Sequence, residues 1–262
     1  MWNDQNEMMP DMAGLGVPFG SVYDAANVTQ KVPVSQRVAF KDGRVFRMAK
    51  AGGTVAVGNL VVAVPNEQAI AATYFGATSA VAPVVGEGGS ISDTVIRLTD
   101  DVTGVTADEF AGGYLNITDA TGEGYMYRIK GNEASKTDGE GFLVTLFDGD
   151  GLRVALDNSS VASMVADKYN GVVAHTAANP NTQTCVGRVM VGATVGQYLW
   201  IQTCGVSTVK AGTATIDKGE EIVLAEDVAG SAQTGIAENV QVIGCAVTDA
   251  ADTVWAHVIL AV

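Results

Sequence analysis

From Gln36 onward the chain is broken by turn signals about every 8–12 residues, and no stretch of roughly 12 or more carries a convincing amphipathic helical period. That pattern points to an all-β protein whose short antiparallel strands form a barrel or sandwich. Val38-Ala39-Phe40 and Arg44-Val45-Phe46-Arg47-Met48 flank Asp42-Gly43, a hairpin signal. Leu60 to Val64 is a strand ended by Pro65. Tyr114 to Ile117 and Tyr125 to Ile129 alternate around a turn at 119–124. Phe142 to Phe147 and Arg153 to Leu156 flank Asp148-Gly149-Asp150-Gly151. Further strands are expected at 186–191, 198–202, 222–224, 240–247 and 254–260. Residues 66–75 read equally as a short helix or a strand, and the best helix candidate is Ser159 to Lys168.

Composition agrees. The chain holds 31 Gly among 262 residues and only 17% charged residues, against about 7% Gly and 25% charged in ordinary proteins. Its 47% hydrophobic content is mostly Ala and Val, so it folds around many small apolar side chains. Ala49 to Val64 faintly resembles Val209 to Leu224, hinting at related barrel halves, although the likeness is too loose to define a repeat.

Residues 1–34 are expected to form an extended N-terminal arm. Pro10, Pro18 and Pro33, with glycines at 14, 16 and 20, oppose both helix and inner strand. A solvated tail is one reading. Trp2, Met8, Met9, Met12 and Phe19 fit the other better, as anchors of an arm lying on a neighbouring protein. The remaining chain divides into a barrel-like domain, residues 35–92 plus 171–262, and an inserted β subdomain, residues 93–170.

Charge excludes several partners. Fifteen Lys and Arg against 29 Asp and Glu give a net charge of −14. Nucleic acid needs clustered cations, and the longest basic grouping, Arg44, Arg47 and Lys50, reads as a solvated strand face. No apolar run approaches the roughly 18 residues of a membrane-crossing helix, so no membrane partner is expected. The first seven residues have neither a basic start nor an apolar core, and no secretory signal is expected.

Catalytic constellations are missing. His175 and His257 stand alone in strand-like stretches and read as packing residues. Cys185, Cys204 and Cys245 lie among apolar neighbours, outside any CxxC spacing, and are expected to be buried thiols. Asp148-Gly149-Asp150-Gly151 fails the EF-hand pattern, because Leu152, Arg153 and Ser159 fall where a ligand, a Gly and a Glu belong. Trp200 and Trp255 read as core or interface residues rather than sugar platforms. The glycines at 14, 16 and 20 follow no strand and open no helix, so they make no phosphate loop. No catalytic residue, cofactor or metal is expected.

Three stretches carry a resemblance to a known family. They are Asp42 to Arg47 with Ala49 to Gly53, Gly112 to Leu115 with Gly122 to Ile129, and Gly196 to Thr203 with Ile243 to Ala246 and Ala251 to Thr253. Together they make the chain similar to the head-decoration, or capsid cement, proteins of tailed bacteriophages. The chain departs from that pattern at Cys204-Gly205-Val206, where an aromatic-Gly-Pro is common. The resemblance implies a β-rich homotrimer bound to the major capsid protein on the outer capsid surface, assembled in the host cytoplasm, with no enzymatic activity. The major shell protein itself fits less well, since it needs a long spine helix. A tail, fibre or knob protein binding host glycan is the alternative, and a β-fold hydrolase acting through one Asp or Glu is a third class.

Overall fold

A computed structural model describes residues 22–63, 67–73, 89–98, 105–135, 141–157, 159–177, 183–235 and 241–262. The protein is all-β, and no helix occurs among the described residues. The strands, in chain order, are β1 (Arg37–Ala39), β2 (Val45–Ala51), β3 (Leu60–Val62), β4 (Glu67–Thr73) and β5 (Val95–Leu98). Next come β6 (Tyr114–Asp119), β7 (Met126–Asn132), β8 (Phe142–Leu146), β9 (Val161–Val165) and β10 (Asn170–Ala174). The series ends with β11 (Cys185–Val189), β12 (Tyr198–Lys210), β13 (Glu221–Leu224), β14 (Ala232–Thr234), β15 (Gly244–Ala246) and β16 (Trp255–Ala261).

Two compact units are present, one of residues 1–65 and 171–262, the other of residues 66–170. The inserted unit thus starts well before residue 93, because β4 pairs with β9. Ser159 to Lys168 is not a helix. Its Val161–Val165 stretch is strand β9, with Ala162 and Met164 turned inward at a period of two. Nor is Arg153 to Leu156 a strand: Leu152 and Leu156 enter the core from a loop.

In the first unit, β2-β10-β3-β11-β12 close into a ring through the β2–β12 pairing. Its inward side carries Ala49, Val61, Val189, Leu199 and Ile201, all buried. The 13-residue β12 serves two rings. Its first half pairs with β2 and β11, and its second half, from Cys204 to Lys210, pairs with β16. From there β16-β15-β13-β14 run on, and a parallel bridge between Ala211 and Ala232 returns β14 to the end of β12. Val209, Ile216, Ile222, Leu224, Ala256 and Val258 fill this second ring.

The two rings repeat one another bond for bond. Val55 and Ala193 exchange two backbone hydrogen bonds of 2.9 Å, and so do Ile216 and Ala250. Gly58 N–H donates to Val189 O as Gly219 N–H does to Ala246 O, each at 2.9 Å. Ala51 to Gln197 O matches Ala211 to Val254 O, both 2.8 Å. Strand order corresponds too: β2, β10, β3, β11 and β12 of the first ring match β12, β14, β13, β15 and β16 of the second. The faint likeness of Ala49–Val64 to Val209–Leu224 is therefore a structural duplication, and the inserted unit occupies the connection that in the second ring is the short loop from Ala225 to Ser231.

This equivalence makes a clean pair of substitutions. Gly58 and Gly219 hold the same turn, at φ +83° and +86°, where an L side chain is strained by about 1–2 kcal/mol. Nothing lies within 4 Å of a Cβ built at Gly219, whereas one at Gly58 lands on the Trp255 indole. We expect Gly58→Ala to cost roughly 1–2 kcal/mol more than Gly219→Ala in urea unfolding. Equal losses would mean that the indole gives way without cost.

The second unit is a 6-stranded sheet in the order β4-β9-β6-β7-β8-β5. Phe110, Leu115, Ile129, Phe142, Val144, Leu146 and Met164 form its core. Asn132, buried at the end of β7, holds the turn that delivers Phe110. Its Oδ1 accepts from Phe110 N–H at 2.9 Å, while Nδ2 donates to Thr106 O at 2.9 Å and Glu133 O at 2.8 Å.

Candidate functional site

Among the described residues, the groups that carry chemistry do not converge. His175 is fully buried behind β10. Its Nδ1 accepts from Gly230 N–H at 2.7 Å, and its Nε2 lies 2.8 Å from Ala225 O, which fixes the neutral tautomer protonated at Nε2. Burial, opposed only by the Ala225 bond, pushes its pKa below the usual imidazole value. His257 is exposed on β16 and far from this arrangement in register. No group of three or more His, Cys, Asp or Glu that might hold a metal occurs among the described residues. Asp148 lies 3.5 Å from Lys130 Nζ, and Asp150 N–H closes a turn on Phe147 O. Asp157 is held down to about 2 by hydrogen bonds from Ser159 and Thr121 across a loop. Asp100-Asp101 and the glycines at 14, 16 and 20 lie outside the described residues.

The cysteines divide. Cys185 is buried and Cys204 half-buried, but Cys245 is exposed, contrary to the expected set of buried thiols. The reason is β15's parity: Ala246 turns into the second ring, so Cys245 turns out. Trp200 is a core residue and Trp255 is exposed, its indole beneath the Arg188 guanidinium at 5.8 Å.

The arm also divides. Trp2, Met8, Met9, Met12 and Phe19 lie outside the described residues. The rest of the expected arm, residues 22–34, lies on its own barrel. Val22 and Val32 are buried against Val38, Phe46, Met48, Met190 and Trp200, and Asn27 exchanges backbone bonds of 3.1 and 2.7 Å with Tyr198.

What the structure does bring together are apolar side chains on outward sheet faces. In the first unit, Val206, Ile259 and Cys245 form one row across β12, β16 and β15. Val206 and Ile259 are 58% and 51% exposed, and Trp255 stands two rows away at 45%. In the second unit, Val165, Tyr114 and Arg128 form a row across β9, β6 and β7. Phe147 extends it, with the Arg128 guanidinium 4.9 Å over its ring, and Met126, 62% exposed, lies beside it. Sequence reasoning missed both faces. Their signal was in the strands: Trp255-Ala256-His257-Val258-Ile259-Leu260-Ala261 is apolar on both parities, and only one parity can face a core.

No protein family, curated protein or solved structure compared with the chain matches it.

Proposed function

We propose that the chain is a non-enzymatic virion structural protein that decorates the outer capsid surface of a tailed phage and stabilises the head by bridging major capsid subunits. One observation carries this reading. A chain of net charge −14 exposes Val206, Ile259 and Trp255 on one outward sheet face and Tyr114, Met126, Phe147 and Val165 on another, and exposed apolar side chains gathered in this way mark contact surfaces. An acidic chain also suits the outside of a particle whose inside meets DNA. Burying roughly 800 Å² per contact at every lattice junction multiplies a modest individual gain by the copy number.

The test is to mix the purified protein with expanded heads lacking it, sediment them and count bound copies. Saturation at a fixed number per head, with higher resistance to heat rupture, is expected, and removing residues 1–21 is expected to lower occupancy. Absence of co-sedimentation overturns the reading. The Tyr114–Phe147 face favours a second reading, a fibre or knob protein whose aromatic rings stack on host glycan. Saturable binding to host cells without binding to heads would select it.

A further inference from the structure

The first ring carries both a face that needs a cover and the cover it takes. Phe46, Met48, Met190 and Trp200 form one apolar cluster with Val22 and Val32, and residues 22–34 lie across it. Yet this cover is lightly held. Only Val22 and Val32 of the segment are buried, while Tyr23 and Val28 stay 56% and 73% exposed. Asn27 and Tyr198 exchange two backbone hydrogen bonds, and Arg44 Nη1 donates to the Tyr23 hydroxyl at 3.3 Å. We propose that residues 22–34 exchange between copies, so that the partner of this face is the same segment of a second copy of this chain.

Three observations carry the exchange. The first is that the occupant is already seen in place. Each contact that seats the segment on its own barrel seats it equally on another, so exchange needs no new interface. The second is the turn that joins the segment to β1. Pro33 O accepts from Gln36 N–H at 3.1 Å, and Ser35, third in that turn, sits at φ +69°, the left-handed conformation that such turns ordinarily give to Gly. Ser35 is kept there by its N–H on Met48 O and by Arg47 Nη1 on its carbonyl, each at 2.9 Å. A short turn under strain favours its straightened form, in which the segment leaves its own barrel and reaches a neighbour. The third is the imbalance across the contact. A departing segment gives up two buried valines, but the barrel it leaves is left with Phe46, Met48, Met190 and Trp200 in water. An identical segment refills that vacancy with the same valines and the same backbone bridge.

The test uses full-length chains whose Cys204 and Cys245 are changed to Ser, leaving only the buried Cys185. Asn27 and Tyr198 are bridge partners, so cysteines at the two positions lie at a spacing that a disulfide spans. Chains carrying Asn27→Cys and chains carrying Tyr198→Cys are refolded together from urea and oxidised. The mixed disulfide is expected to exceed either homodisulfide on a non-reducing gel, since neither chain can form that bond alone. Ser35→Gly relieves the turn and is expected to lower the mixed product about five-fold, while Ser35→Val, β-branched at a positive φ, raises it. A mixed product no more abundant than the homodisulfides overturns the proposal. Sedimentation of the chain with its own cysteines and either Ser35 substitution reads the exchange without engineered thiols. Its oligomeric share is expected to fall with Gly and rise with Val, and equal shares, or the reverse order, overturn the exchange even if the cysteine variants misfold. No heads enter either assay, so the outcome is independent of the virion reading.

Discussion

Asn132→Ala is expected to destabilise the inserted unit by about 3 kcal/mol, read as a lower urea midpoint with an unchanged slope. The side chain satisfies three backbone groups at once, the buried Phe110 N–H and the part-buried Thr106 O and Glu133 O. Its own carbonyl accepts from Asp108 N–H at 2.8 Å, so side chain and backbone together grip the turn from Thr106 to Phe110. Asp108 sits at φ +58° in that turn, a conformation a non-glycine residue keeps only when its surroundings impose it. Loosening the grip therefore also loosens Phe110, which is fully buried in the core. Asn132→Asp separates hydrogen bonding from shape. It keeps the acceptor for Phe110 but sets an oxygen against two carbonyl oxygens, so it is expected to cost at least as much as Ala. A loss below about 1 kcal/mol for either variant would mean that the turn finds other partners.

How much of this fold was legible depends on which physical signal each part carries. Turn chemistry was plain. Asp42-Gly43 does close β1 onto β2, with Gly43 at φ +86° and the Asp42 carboxylate accepting from Arg44 N–H. Glycine inside a strand misled. The expected strand ended at 202, yet β12 runs on through Cys204-Gly205-Val206 to Lys210. The register shifts between Gln202 and Cys204, and Gly205, at φ +89°, follows at once, where a Cβ would press on Arg44 backbone at 2.8 Å as the strand passes from one ring to the other. Val161 to Val165 and Glu67 to Thr73 lack the β-branched density or the flanking turns that would have told strand from helix.

The duplication was the faintest signal because it is written in backbone geometry rather than side chains. Gly196 and Thr253 occupy one position in the two rings, at φ +80° and +57°, and share no side-chain chemistry. Trp200 and His257 are equivalent in register, one buried and the other exposed. A ring tolerates such changes so long as its inward parity stays apolar and its bridges keep their places. The outward parity is then free to diverge. The first ring's face holds large side chains and is covered by residues 22–34, while the second's holds Val, Thr, Ile and Trp. The contact surfaces proposed for this chain lie on the outward parity, where a hydrophobic pattern alone does not distinguish a covered face from a contact surface.

The second large effect is expected at His175, at the junction of the two rings. It follows β10 of the first ring and reaches into the Ala225–Gly230 loop of the second. Beside it, His175 N–H donates to Leu60 O and Leu60 N–H donates to Gly230 O, so its ring sits in a closed set of backbone bonds. Truncation to Ala removes the Nδ1 acceptor of Gly230 N–H, leaving it only the 3.2 Å bond to the residue-175 carbonyl, removes the donor for Ala225 and leaves a cavity, at a cost of about 3–5 kcal/mol. Protonation attacks the same site without mutation. A proton on Nδ1 would face the Gly230 N–H, and burial already disfavours the charge, so the folded chain holds the imidazole neutral below its ordinary pKa of 6.5. Below 6.5 the unfolded chain therefore binds more protons than the folded one, and stability falls with pH by up to about 1.4 kcal/mol per unit until the folded pKa is reached. His175→Gln removes the titration, so its unfolding free energy is expected to be flatter than wild type between pH 6.5 and the acid limit of that window. Parallel curves for the two proteins would show that His175 titrates alike in both states, and that the junction does not depend on its neutral form.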